Sequence, residues 1–453
     1  MQILLNIFLY GSIWLFGLSV ISLIFCKKTK NFFTVEKLGL GFLFGNVLTS
    51  YFYFLMHSLL GLELNKQNFI FLISFLIFFS MFAMGKRFFF QFKKTNLFKV
   101  KNELFANKLS KILFYILLLA IGFSFFNNYY WPLTDWDALA LYDFRAKVIA
   151  STGNLSQGVE LGYFFHYPPH TSLLHTFNYI LGLQEVKIWY SLLYATFLMV
   201  FYSLLRKEHS LKLSLFGTLI LAISPRIFSH AKIAYTNLPY TIYLSLGYLY
   251  LYFWLKKGVI QDVIIGALLI AFSTWIRLSE PFWIVSVLIL FIGAFRYKKQ
   301  IPILILLVGI IFSMIWPWDK FVSIQYNKPL AKGLGISPRH LSKISLKELP
   351  KRTLEVTKYL KSNVYPVIKH YVPALIISFY FILQKKKWIK LLDYSLLILF
   401  LGLIYVGTIF FSFQYEEWRE IPDSAARMSM VIIPFCIYPI ISSDLWKTQK
   451  KKK

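Results

Sequence analysis

WPLTDWDALALYDFRAKVIASTG, Trp131 to Gly153, follows directly on an apolar run, 112–130, long enough to cross a lipid bilayer. It holds Asp135, Asp137, Asp143, Arg145 and Lys147 in a chain where only 15% of residues are charged. Carboxylates at a membrane boundary are costly to keep there and mark functional ground. After Pro132, Thr134 or Asp135 can cap a helix from about Asp137 to Ser151, which Gly153 stops. Asp137 then stands at the positive end of the helix dipole. A plainer reading carries equal weight: these acids cap the helix and pair with Arg145 or Lys147.

The rest of the chain supplies the bilayer. Its 453 residues are 57% hydrophobic, with 47 Phe and a mean hydropathy of +0.59, more apolar surface than a water-soluble chain of this length buries. The pattern is that of an all-α, polytopic transmembrane helical bundle. The 29 Tyr and 12 Trp suit the headgroup region, where an apolar ring and a polar tip are both satisfied. A net charge of +29 does not make a nucleic-acid groove, because Lys and Arg fall in short clusters between apolar runs, which is a topology signal. Cys26 and Cys436 both lie in apolar runs, so a disulfide framework and a cysteine metal site are excluded. The run Ile3 to Cys26 lacks a basic leader and a small-residue cleavage site and reads as a retained span.

At roughly 20 residues per crossing, candidate spans fall near 3–26, 38–60, 68–85, 112–130, 186–205, 210–229, 236–255, 259–276, 281–296, 301–317, 371–384, 389–412 and 428–445, about thirteen in all. Basic clusters at Lys27 to Lys30, 86–111, Arg206 and Lys207, Lys256 and Lys257, Arg296 to Lys299, Lys385 to Lys387 and Lys450 to Lys453 then share one side, the cytoplasm, with the N-terminus outside. Four regions follow: 1–111, three N-terminal spans and a basic loop; 112–317, a core with the first outer loop 131–185; 318–370, an outer Lys-rich loop; and 371–453, the last spans and a basic tail. Segment 170–184 is too short to cross and reads as a juxtamembrane or re-entrant helix. In 318–370, a helix from Ser345 to Leu360 with a basic face either lies on headgroups or belongs to a solvated loop.

The outer side gathers the remaining chemistry. His166-Tyr167-Pro168-Pro169-His170 leads into the short helix, and its histidines bind a metal or an acceptor or, the favoured reading, only pack or cap. His230 and Lys232, in a short loop ending at Asn237, suit a phosphate at headgroup level, or Lys232 simply snorkels. Arg277 and Glu280 form a structural pair or an acceptor site. Arg427 starts the last span and can fork onto a phosphate.

In this order the residues resemble the GT-C superfamily of integral-membrane glycosyltransferases, relatives of the protein O-mannosyltransferases and the lipid A aminoarabinose transferase. The resemblance rests on Trp136-Asp137-Ala138, Arg145-Ala146-Lys147, Gly153, Tyr167-Pro168-Pro169, Gly182, Ala234-Tyr235-Thr236-Asn237-Leu238-Pro239, and Arg427 ahead of Pro434, over residues 112 to 445. It implies an inverting hexosyl or pentosyl transferase acting on the periplasmic face of a bacterial inner membrane, moving sugar from a polyprenyl-phosphate donor to a cell-envelope glycan, lipid or protein. By the resemblance the general base is the first-loop aspartate Asp137, with Asp135 the competing choice. Arg427, Lys232, Arg277 and His230 are then candidates for the donor phosphate, and Glu280, His166, Tyr167 and Asn237 for the acceptor. Asn237 stands where many relatives have aspartate, so no metal and no other cofactor is expected. An O-antigen polymerase or ligase and a polyprenyl-linked lipid flippase or transporter are the competing classes; no nucleic acid is expected.

Overall fold

A computed structural model describes residues 2–24, 34–84, 107–160, 167–278, 280–326, 344–385, 387–414, 418–419 and 424–443. Among them every regular element is a helix, and the described parts of the thirteen apolar segments are helical, with 210–229 broken at Ser224 into Leu211–Ile223 and Pro225–His230. Length and hydropathy together qualify eight as membrane-crossing, or nine if Leu349–Ile368 and Val372–Gln384, which meet at 81°, form one bent span. The protein is thus an all-helical bundle with the apolar helices of an integral membrane protein. Leu211–Ile223, Ile260–Ile276 and Pro281–Arg296 are apolar but shorter.

Asn237–Lys257 has the length of a span and carries five tyrosines. Every residue from Asn237 to Trp254 is buried, so protein surrounds this helix and lipid-facing hydropathy is not demanded of it. Its phenols are satisfied internally, as apolar surroundings require. Tyr243 donates to the Leu43 carbonyl at 2.6 Å, Tyr250 to Glu36 at 2.5 Å, Tyr248 to the Phe282 carbonyl and Tyr252 to Asp393.

The N-terminal helices pack into the bundle instead of hanging from it. Gln2–Ile24 and Thr34–Leu60 cross with backbones touching: a Cβ on Gly17 would stand 1.8 Å from the Gly41 oxygen, and one on Gly45 2.0 Å from the Ile13 oxygen. Such small-residue crossings replace the hydrophobic drive that lipid removes. Tyr10 packs edge-on to Trp189 at 4.6 Å and accepts from Asn178 at 3.2 Å.

Charge collects at one end of the bundle, hereafter the basic end. Lys207 lies 3.1 Å from Glu36 and 2.9 Å from Asp262, while Glu208 pairs with Lys256 and Lys257, both at 3.0 Å. The opposite end carries 131–160 and 167–187, pinned by the Leu64 amide donating to the Gly153 carbonyl at 2.7 Å.

Three boundaries differ from the sequence expectation. The helix Ile301–Tyr326 continues through Pro317, so the loop expected from 318 starts later. The amphipathic helix is Leu349–Asn363, packed on Ser395–Gln414 through Thr357 and Tyr405, whose hydroxyls lie 2.9 Å apart. In segment 170–184 the helix is His170–Ile180, ending before 184, and it is buried in the protein from His170 through Asn178.

Candidate functional site

The Asp137 region is a helix with a widened turn. Ala138–Asp143 is π-helical, closed by the Phe144 amide donating to the Leu139 carbonyl five residues back, and Phe144–Thr152 continues as α-helix until Gly153 turns left-handed at φ 69°. The extra residue in a π turn re-aims side chains, which is why such turns recur at functional sites. Asp143 and Arg145 are thereby directed inward while Asp137, at the start, remains accessible.

Beneath the turn, Lys147 donates to Asp143 at 2.9 Å, Tyr179 donates to the same carboxylate, and His175 Nδ1 lies 3.3 Å away. Burial pushes the Asp143 carboxyl up, but His175, Tyr179 and Lys147 outweigh it and hold the group at about 2. His175 Nε2 lies 3.1 Å from the Tyr190 hydroxyl, so the turn is tied to the helix Ile188–Arg206.

On the open side, Arg427 donates through Nη1 to Asp137 Oδ2 at 2.6 Å. Ser424–Met428, the short helix that carries Arg427, leads into the last apolar helix. The Arg427 guanidinium lies 5.5 Å over the Tyr235 ring. The Tyr235 hydroxyl takes a backbone hydrogen bond from Asp137; burial, then the Asp137 charge, pushes that phenol up. Tyr235 therefore touches both members of the pair.

A cavity of about 420 Å³ opens beside them. Polar lining comes from Asp137, Tyr142, Tyr167, Asn237, Arg277 and Arg427. The Arg277 guanidinium lies 5.4 Å over the Tyr167 ring, and Tyr142 shares a 2.9 Å hydrogen bond with Thr236. Apolar lining comes from Phe282 and from Leu403, Val406, Phe410 and Phe411 of the helix Ser395–Gln414. Tyr359 and Trp418, packed edge-on at 5.1 Å, close one side of the cavity. The lining thus brings two guanidiniums and a carboxylate into one cavity with a set of apolar side chains.

Of the residues singled out in the sequence, Asp137, Arg427, Arg277, Tyr167 and Asn237 meet on this cavity. Asp135, Lys232 and His230 do not line it. Asp135 acts on Lys187, whose ammonium burial holds below its ordinary range and which donates to the carbonyls of Trp131 at 3.2 Å and Pro132 at 3.4 Å. Lys232 rests 4.7 Å over Phe228 and 5.5 Å over Phe123, an aromatic shelf outside the cavity lining. His230 Nδ1 lies 3.0 Å from the Arg226 carbonyl of its own turn, which keeps the ring buried. His166 and the Glu280 side chain lie outside the described residues. Among the described residues no three His, Cys, Asp or Glu side chains gather to hold a metal ion.

No family model, curated protein or solved structure matches this chain. What the site does is therefore read from its own side chains. Tyr235, Tyr142, Tyr359 and Trp418 are the participants that sequence reasoning did not single out as site residues. In a chain with 29 Tyr, a tyrosine near an aspartate carries no signal until the fold is known.

Proposed function

We propose that this protein is an integral-membrane glycosyltransferase of the GT-C kind, using a polyprenyl-phosphate sugar as donor and a hydroxyl of a cell-envelope glycan, lipid or protein as acceptor. The observation that carries this reading is the contact between Asp137 and Arg427 in a cavity whose lining combines these charges and Arg277 with the apolar side chains of Ser395–Gln414. The isoprenoid tail lies against the helix Ser395–Gln414, and the donor phosphate faces Arg427 and Arg277. A guanidinium presents forked donors to two phosphate oxygens, which an ammonium does not.

Chemistry follows from that placement. The acceptor oxygen attacks the anomeric carbon as the bond to the phosphate oxygen breaks, and its electron pair leaves with the phosphate. Charge grows on that phosphate as the sugar becomes oxocarbenium-like, so nearby guanidiniums stabilise the transition state more than the ground state. Asp137 takes the acceptor proton on the opposite face of the ring, and the anomeric centre inverts. The active face is the non-cytoplasmic one in this reading, supported by Lys207, Lys256 and Lys257 gathering at the basic end.

The test is sugar transfer in membranes from a labelled polyprenyl-phosphate sugar. Asp137→Asn lowers the rate by about 100-fold or more if Asp137 is the base. Near-normal transfer by a fully inserted variant overturns the assignment.

A further inference from the structure

The pair that marks the site also blocks it. A carboxylate bound to a guanidinium at 2.6 Å is poorly placed to accept a proton from a sugar hydroxyl, because Arg427 already holds one of its oxygens. The same arginine is one of two guanidiniums, with Arg277, that line the cavity an incoming phosphate would enter. The Arg427 and Asp137 side chains retain 20% and 31% exposure, so the pair lies on the cavity surface where a ligand reaches it. Tyr235 keeps the two registered: its ring lies under the guanidinium and its hydroxyl takes the Asp137 backbone bond. The guanidinium can therefore turn over the ring from one anion to another with little displacement.

We infer that Arg427 is an exchangeable partner: in the empty site it neutralises Asp137, and the donor phosphate takes it over, freeing the carboxylate to act as base. This rests on the glycosyltransferase reading above and adds an order to it. Donor binds first, and the base is released only when a phosphate is in place. An acceptor entering alone meets an occupied carboxylate, and water entering alone is not activated. Asp137 thus competes, within the protein, for the group that binds the donor. Bridging of both anions by one guanidinium is the opposing arrangement, in which Asp137 helps to hold Arg427 for the phosphate.

The two arrangements differ in sign. The probe is a sugar-free polyprenyl monophosphate, titrated into the full-length protein in nanodiscs of zwitterionic lipid. Exchange makes Asp137→Asn bind it about fivefold more tightly than the wild type, the upper end expected for removing a competitor of this exposure. In an Arg427→Ala background the same substitution changes affinity by less than about twofold, because the contested group is gone. Simple repulsion between Asp137 and the phosphate gives equal tightening in both backgrounds and overturns the inference, as does unchanged or weaker binding by Asp137→Asn. Asp137→Ala removes the same charge and serves if the asparagine variant does not insert. Sugar transfer is measured in parallel: transfer by Asp137→Asn sinks the base role, whereas an unaltered affinity sinks the exchange. Each failure is visible without the other.

Discussion

Arg145 Nε donates to the Ser172 hydroxyl at 2.8 Å, and the same guanidinium reaches the carbonyls of Tyr167 and Pro168, both at 3.1 Å. Arg145 is 3% exposed, so the acceptors it serves have no water to replace it. It clamps the turn that presents Tyr167 to the cavity. Replacing it with Leu strands those buried acceptors, a cost of about 1–3 kcal/mol for each unmatched group. Arg145→Leu should lower the unfolding temperature in detergent and abolish transfer, while Arg145→Lys recovers part of the stability. An Arg145→Leu protein as stable as wild type would contradict the clamp.

Arg427 and Lys232 should separate cleanly. Only Arg427 lines the cavity, whereas Lys232 sits on Phe228 and Phe123. Arg427→Ala should raise the donor KM by about tenfold or more, the order of one lost charge-assisted contact. Lys232→Ala should leave it within about twofold. Equal effects would place the phosphate outside this cavity.

Asp143 predicts a pH dependence of stability. Its folded-state value of about 2 lies below the ordinary carboxyl range, so its contribution is present above the unfolded value, near 4, and is lost as pH falls from there toward 2. Thermal unfolding between pH 5 and pH 3 should show a loss for the wild type that Asp143→Asn does not share. Parallel curves would show that the group does not carry the effect.

At the basic end, Lys207 holds two carboxylates, Glu36 and Asp262, away from water. Lys207→Met leaves both unpaired and should cost about 3–5 kcal/mol. Adding Glu36→Gln and Asp262→Asn should restore most of it. Thermal unfolding of the single and triple variants checks this, and a triple variant no better than the single would refute the charge argument.

Gly17 offers a steric test. Its absent side chain lets the helix Gln2–Ile24 touch the Gly41 backbone, and an alanine Cβ there would lie 1.8 Å from that oxygen. Gly17→Ala should weaken the helix pair, whereas Gly11→Ala, with open space around it, should not. Unfolding midpoints of the two variants report the difference.

Much of the helical framework was legible because a bilayer imposes length and hydropathy on whatever touches it. The boundary at Gly153 was legible for a local reason, the left-handed turn that ends a helix. Less of the site was. Asp137 and Arg427 lie 290 residues apart in the chain, and their placement at the same membrane edge follows from alternating spans, but their contact does not. Lys232 shows the limit: its side of the bundle can be read from the sequence, whereas the direction its stem takes is set by Phe123, on another helix. The π turn at Ala138–Asp143 likewise has no composition signal, since the same residues suit an α-helix.

The tyrosine-rich helix Asn237–Lys257 has a consequence for counting. It is a helix that a hydropathy threshold passes over because protein and not lipid surrounds its side chains, just as length excludes Leu211–Ile223, Ile260–Ile276 and Pro281–Arg296. Omitting one crossing changes the parity of everything after it and would send Arg427 to the face opposite Asp137. A single contact across the chain restores the sum: because Asp137 and Arg427 touch, the number of traverses between them must be even, and any map of the chain that makes it odd has lost a helix.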